Sequence, residues 1–134
     1  MELTIDQALQ QGVAAHKEGN FQEAERLYRA ILQSQPKHPH ANHNLGVLAV
    51  SLNKADAALP FFKTAIESNP TISEYWVSCI KTLIEIKDID NAQIALEKAK
   101  EVGHVDEVFD KLASNLLLVK KEMKNLIIWI LDLK

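Results

Sequence analysis

Apolar residues return every third or fourth position along most of the chain, the period of helices that bury one face. Leu9 and Val13, with His16 on the same stripe, lead into Gly19-Asn20, a breaker pair that predicts a helix end and a tight turn. A second helix is predicted from about Phe21 to Ser34, with Ala24, Leu27, Tyr28, Ile31 and Leu32 on one stripe. Gln35-Pro36-Lys37-His38-Pro39 closes it, because proline lacks an amide donor and clashes with the helical carbonyl before it. The plan then recurs. Asn42, Leu45, Gly46 and Ala49 mark a third helix, Asn53-Lys54 a turn, and Ala58, Phe61, Phe62, Ala65 and Ile66 a fourth, ended by Asn69-Pro70. Pro60 is expected near the start of that fourth helix, where its missing amide would be an unpaired donor anyway. Ser73 is the expected N-cap of a fifth helix carrying Trp76, Cys79, Ile80, Leu83 and Ile84. Lys87-Asp88 turns into a sixth with Ala92, Ala95, Leu96 and Ala99, stopped by Gly103-His104.

Superposed on the helical period is a longer one. Ala24, Ala58 and Ala92 stand 34 residues apart, and the same shift carries Gly12 onto Gly46, Tyr28 onto Phe62 and Leu96, and Pro36 onto Pro70. A period of this length marks helix pairs that stack on their neighbours because one pair cannot bury its apolar face alone. Short side chains at Gly46 and Ala58 would let paired helices approach closely, with Tyr28 and Phe62 filling the space between successive units. The units are expected at residues 5–38, 39–72 and 73–106. Beyond them, Phe109, Leu112, Ala113, Leu116 and Leu117 precede a polar interval, Lys120-Lys121-Glu122, and then Met123, Leu126, Ile127, Ile130 and Leu131. One long helix or two short ones both fit residues 107–134, as a cap or as an interface.

These positions carry a family signature. The chain resembles tetratricopeptide repeats, whose pattern runs W-x₂-L-G-x₂-Y, then A-x₃-F, then A, then P. The second unit matches best, with Leu45-Gly46, Ala58, Phe62, Ala65 and Pro70. The first supplies Gly12, Gly19, Phe21, Ala24, Tyr28 and Pro36, and the third Trp76, Ala92, Leu96 and Ala99. Departures are Gln11 for the leucine, Ala15 and Ala49 for the tyrosine, Ile80 for the small residue and His104 for the proline. The resemblance implies an all-α fold: a right-handed superhelical solenoid of antiparallel helix pairs, forming a single domain over residues 1–134.

Composition narrows the chemistry. With 134 residues, 47% apolar and 25% charged, the chain has the make-up of an ordinary folded domain. A net charge of −3 gives nucleic acid no electrostatic foothold. No apolar run reaches the roughly 18–20 residues of a membrane span, and Met1-Glu2-Leu3-Thr4-Ile5-Asp6 lacks the basic flank of a signal peptide, so a cytoplasmic setting is expected. The four glycines are scattered singletons that form no phosphate loop. Cys79 reads as a small core residue without a nucleophilic partner. His38, His40 and His43 are closely spaced, but a closed zinc shell needs further ligands. No catalytic residue, metal site or cofactor is expected.

A binding module is the expectation that remains. The resemblance implies that the first helix of each pair lines a concave groove for a peptide or protein segment. The groove residues would then be Leu9, Val13 and Lys17 from the first unit and His40, His43, Asn44, Val47 and Val50 from the second. Val77, Ser78 and Lys81 follow from the third. Relatives that grip chaperone carboxylates use lysine, asparagine and arginine at set positions, of which only Asn44 is matched here, so that clamp is not expected. The asparagine ladder of similar sugar-transferase repeats is reduced to Asn44 as well. Two other arrangements stay open: a repeat segment of a larger bacterial enzyme such as a glycosyltransferase or sulfotransferase, and self-association through the C-terminal helix. The latter would be a homodimer built on Leu126, Trp129, Ile130 and Leu133. The sequence ends on Trp129-Ile130-Leu131-Asp132-Leu133-Lys134 without a polar tail, which fits either.

Overall fold

A computed structural model of the chain describes residues 2–133. Its helices are α1 (Ile5–Lys17), α2 (Phe21–Ser34), α3 (Pro39–Ser51), α4 (Ala55–Ser68), α5 (Ser73–Glu85), α6 (Ile89–Val102) and α7 (Glu107–Asp132), and among the described residues there is no strand. The chain forms two compact units, Met1–Tyr75 and Trp76–Lys134, with the boundary inside α5.

The 34-residue period is written into the turns. Gly19, Asn53 and Lys87 all have positive φ, at +79°, 60° and 62°. After each, the next amide reaches back to a carbonyl five residues earlier: Asn20 to Ala15 at 2.8 Å, Lys54 to Ala49 at 2.8 Å and Asp88 to Leu83 at 2.9 Å. That six-to-one bond over a left-handed residue is the Schellman closure, which satisfies carbonyls a helix end would otherwise leave unpaired. The same residue after the turn then caps the following helix. The Asn20 Oδ1 accepts from the Glu23 amide and the Asp88 Oδ1 from the Asn91 amide, each at 3.4 Å. Lys54 makes no such side-chain cap. Gly103, φ 112°, ends α6 by the same closure, the His104 amide donating to the Ala99 carbonyl at 3.0 Å.

Lysine fits the left-handed region poorly, because its Cβ crowds the neighbouring carbonyl at a cost of roughly 1–2 kcal/mol. Lys87→Gly is therefore expected to raise stability by about 1 kcal/mol, net of the greater freedom glycine has when unfolded. Asn53→Gly should gain less, since asparagine tolerates this conformation. Chemical denaturation of the two variants checks the order; an unchanged or lower midpoint for Lys87→Gly would refute it.

Helix starts follow their own signals. Thr4 makes a capping box, its Oγ1 accepting from the Gln7 amide at 3.1 Å while its own amide donates to the Gln7 Oε1 at 3.0 Å. His38 caps α3 through Nδ1, which accepts from the Ala41 amide at 3.1 Å. Asn42, almost fully buried, donates from its amide nitrogen to the carbonyls of Pro36 and His38, at 3.1 and 2.9 Å, and so pins the loop between α2 and α3. Two local expectations are corrected. Ser73 is the first helical residue of α5 rather than its cap. Pro60 is the sixth residue of α4, past the unpaired first turn, so the Asp56 carbonyl loses its helical donor. Both residues are exposed, and water can solvate that carbonyl.

In the first unit, α1 packs on α2, α2 on α3 and α3 on α4. Ala24 and Ala58 are fully buried, as is Ala92 in the second unit. Tyr28 acts within its pair as well as at the junction with α3, whereas Phe62 packs on α3, the partner helix of its own pair. A Cβ on Gly12 would stand 2.5 Å from Tyr28 Cε1, and one on Gly46 would stand 2.6 Å from Phe62 Cδ1, so each ring packs against a glycine of its own partner helix. Gly12 and Tyr28 stand at similar distances either side of the short turn between α1 and α2, as do Gly46 and Phe62 about theirs, so the paired helices fold back on each other antiparallel. Tyr28 further joins Ala15, Ala24, Leu45 and Leu48 in one cluster, which ties the first helix pair to α3.

In the second unit, residues 107–132 make one continuous helix, not two. Asp106 caps it, its Oδ1 accepting from the amides of Val108 (3.1 Å) and Phe109 (3.4 Å). Phe109, Leu112 and Leu116 are buried on the side that meets α6. Farther along, Lys120 Nζ donates to Gln93 Oε1 at 2.9 Å. No described helix is long and apolar enough to cross a membrane.

Candidate functional site

Within the first unit α1 and α3 lie side by side. Their C-terminal ends are joined by His16 Nε2 and Ser51 Oγ at 3.1 Å. The Ser51 hydroxyl gives its proton to the Val47 carbonyl at 3.1 Å, which leaves the imidazole nitrogen as the donor. Along this pair of helices Leu9, Val13, Val47 and Val50 are half-buried, and Lys17 and His40 are exposed. Leu9 packs at the edge of both apolar clusters of the unit. Val13, Val47 and Val50 lie outside those clusters, partly open apolar side chains with few charges nearby.

Two expected groove residues have structural work of their own. His43 is 9% exposed, with its ring 5.0 Å from that of Tyr75 and 5.6 Å from that of Phe62. It is a core side chain, because an aromatic shelf closes over it that the local helical pattern does not announce. Burial depresses its pKa, opposed by a hydrogen bond with Asn44. Asn44 also hydrogen-bonds the Tyr28 hydroxyl, whose pKa burial raises. Asn44 therefore links α2 to α3.

His40 Nδ1 pairs with the Tyr75 hydroxyl at 2.9 Å. His38, His40 and His43 thus diverge, one capping a helix, one bound to Tyr75 and one in the core. Among the described residues no three His, Cys, Asp or Glu side chains gather as a metal-holding group. Tyr75, which the sequence pattern did not single out, is fully buried and organises both histidines. Its one signal was the 34-residue shift, which sets it level with Ala41, also fully buried.

In the second unit Val77 and Ser78 are half-buried and Lys81 is exposed. Cys79 sits deep enough that burial raises its thiol to about 11, which keeps it protonated and a poor nucleophile at neutral pH. The four residues expected at a self-association surface are all open: Leu126 55%, Trp129 59%, Ile130 46% and Leu133 67% exposed. Ile127, Ile128 and Leu131 join them at 57%, 48% and 57%.

Comparison with known proteins agrees with this architecture. Residues 15–77 match the tetratricopeptide repeat family model. No curated protein matches the chain in sequence. A tetratricopeptide repeat protein from Parabacteroides merdae superposes with a TM-score of 0.79 at 19% identity, covering 88% of this chain and 46% of that one. The chain thus spans less than half the length of that protein. The type III secretion translocator chaperone SycD of Yersinia enterocolitica gives 0.76 at 14% identity, with 92% and 90% covered. SycD has also been solved in complex with a peptide of the translocator YopD. The Sgt2 TPR domain from Aspergillus fumigatus gives 0.73 at 20% identity, with 90% and 79% covered. Residues 15–77 thus match tetratricopeptide repeats in sequence, and the chain has the all-α fold of that class.

Proposed function

We propose that this chain is a protein-interaction scaffold module without catalysis of its own, and that the α1–α3 face takes up a peptide or protein segment. The observation that carries this reading is the row of partly open apolar side chains, Val13, Val47 and Val50, on two helices locked together by His16 and Ser51. Half-open valines beside a few polar groups suit apolar anchors of an extended or helical segment. The peptide-bound state of a structural neighbour supports it by analogy of fold. Lys17 and His40 would flank the segment, whereas Asn44 and His43 would hold the face in shape from beneath. On the second unit, Val77, Ser78 and Lys81 of α5 are proposed as a separate contact surface of the same kind.

The test is selection of peptides from a displayed random library, followed by binding measurements with the selected sequences. Peptides binding at about micromolar Kd are expected. The variant Val13→Asp with Val47→Asp should weaken them at least about tenfold while the helical circular dichroism stays unchanged. Equal affinity for this variant would remove the face from consideration.

The open end of α7 favours a second reading alongside the first: self-association, with Leu126, Trp129, Ile130 and Leu133 contributing to a contact between two copies. An apolar stretch from residue 126 to 131 is too hydrophobic around its circumference to be favoured in water.

A further inference from the structure

Along α7 one stripe steps by three and four residues without a fault: Phe109, Leu112, Leu116, Val119, Met123, Leu126, Ile130 and Leu133. Its first three members are buried and face α6, the next two are half-buried, and the last three are exposed. The cause is the length of α6. Lys120 meets Gln93, four residues from the start of α6 at Ile89, and the two helices run antiparallel. Beyond about residue 124 there is no more of α6 to lie against, and α7 runs on for roughly 12 Å at 1.5 Å per residue. The seam built to face a helix therefore continues past the helix it faces.

We propose that residues 122–133 of α7 pair antiparallel with the same segment of a second copy, centred near Ile128. The proposal rests on the self-association reading above and gives it a geometry. Pairing about that centre sets Leu126 opposite Ile130 and Met123 opposite Leu133, the a-to-d layering that antiparallel helices use, so that one segment supplies both halves of a two-fold interface. The antiparallel arrangement opposes the two helix dipoles, whereas a parallel pair would align them. The exposed apolar side chains on and beside the seam, Leu126, Ile127, Trp129, Ile130 and Leu133, present on the order of 500 Å² per copy, about 1,000 Å² for the pair and the small end of specific interfaces. Ile127 and Trp129 flank the seam, and Ile128 and Leu131 lie on its outer side.

The outer residues supply the control. Sedimentation equilibrium of the whole chain, run up to about 1 mM, is expected to show a doubled mass. Trp129 emission should shift to shorter wavelength as the dimer fills. Leu126→Asp with Ile130→Asp should weaken pairing at least about 100-fold, whereas Ile128→Lys with Leu131→Lys should leave a dimer. All four side chains are exposed, so neither variant disturbs the buried part of α7. In a Cys79→Ser background, chains carrying Leu126→Cys are mixed with chains carrying Ile130→Cys and treated with a short bis-maleimide. Mixed cross-links should exceed like-with-like ones. A monomer at every concentration overturns both the pairing and the self-association reading. A doubled mass with equal loss in the two variants, or with like-with-like cross-links in excess, overturns this geometry and leaves self-association standing.

Discussion

Phe62→Ala is expected to cost about 4 kcal/mol of folding stability, the range for emptying a buried aromatic site. Two neighbours lose a packing partner at once. The ring is 1% exposed, lies against the bare backbone of Gly46 and sits 5.6 Å from the His43 ring. Glycine has no side chain with which to fill the gap, and α3 cannot collapse toward α4 without dragging the Schellman turn at Asn53. A domain of this size has only about 5–15 kcal/mol in total, so the loss is a large share of it. Urea denaturation followed by circular dichroism checks the figure. A loss below about 1.5 kcal/mol would mean that the ring is not the spacer between these helices.

Gly46→Ile should be destabilising by about 3 kcal/mol for the complementary reason. Even a single Cβ at this position would overlap the Phe62 ring, and that ring is enclosed and cannot swing away. The gain from replacing a mid-helix glycine, a few tenths of a kcal/mol for a branched residue, is too small to offset the overlap. The chain itself suggests the remedy. At the corresponding positions of the third repeat, isoleucine stands for the glycine and leucine for the aromatic, as Ile80 and Leu96. Ile80 is fully buried. Gly46→Ile combined with Phe62→Leu should therefore recover at least half of the stability lost by Gly46→Ile alone. The coupling is measured by a double-mutant cycle; additive losses would show that the two positions do not share one volume.

That exchange of sizes explains which parts of the molecule were legible from the residues. Period alone set short side chains and rings in register, but it matched Gly46 with Ala58 and put the rings between units, whereas Tyr28 and Phe62 lie against Gly12 and Gly46 of their own partner helices. Helix ends were legible. Gly19-Asn20, Asn53-Lys54 and Lys87-Asp88 are local signals, and the left-handed residue and its cap act over five or six positions. Pro60 was misjudged because its expected harmlessness depended on the helix starting nearer to it, and boundaries shift by a residue or two. On the candidate face, the exposed Lys17 and His40 and the half-open valines were within reach of a helical wheel. His43 was not, since its burial depends on Phe62 and Tyr75, which lie 19 and 32 positions away in sequence.

By themselves, the residues determined the number, order and ends of the six repeat helices, and the register at which short side chains recur. Those features are fixed by forces that act within one turn or recur at a fixed interval. Tertiary structure alone decided that residues 107–132 form one helix, that Asn44 joins α2 to α3, and that α7 outruns α6. Each of these depends on which surfaces meet, and an apolar stripe is written the same way whether a neighbour covers it or water does.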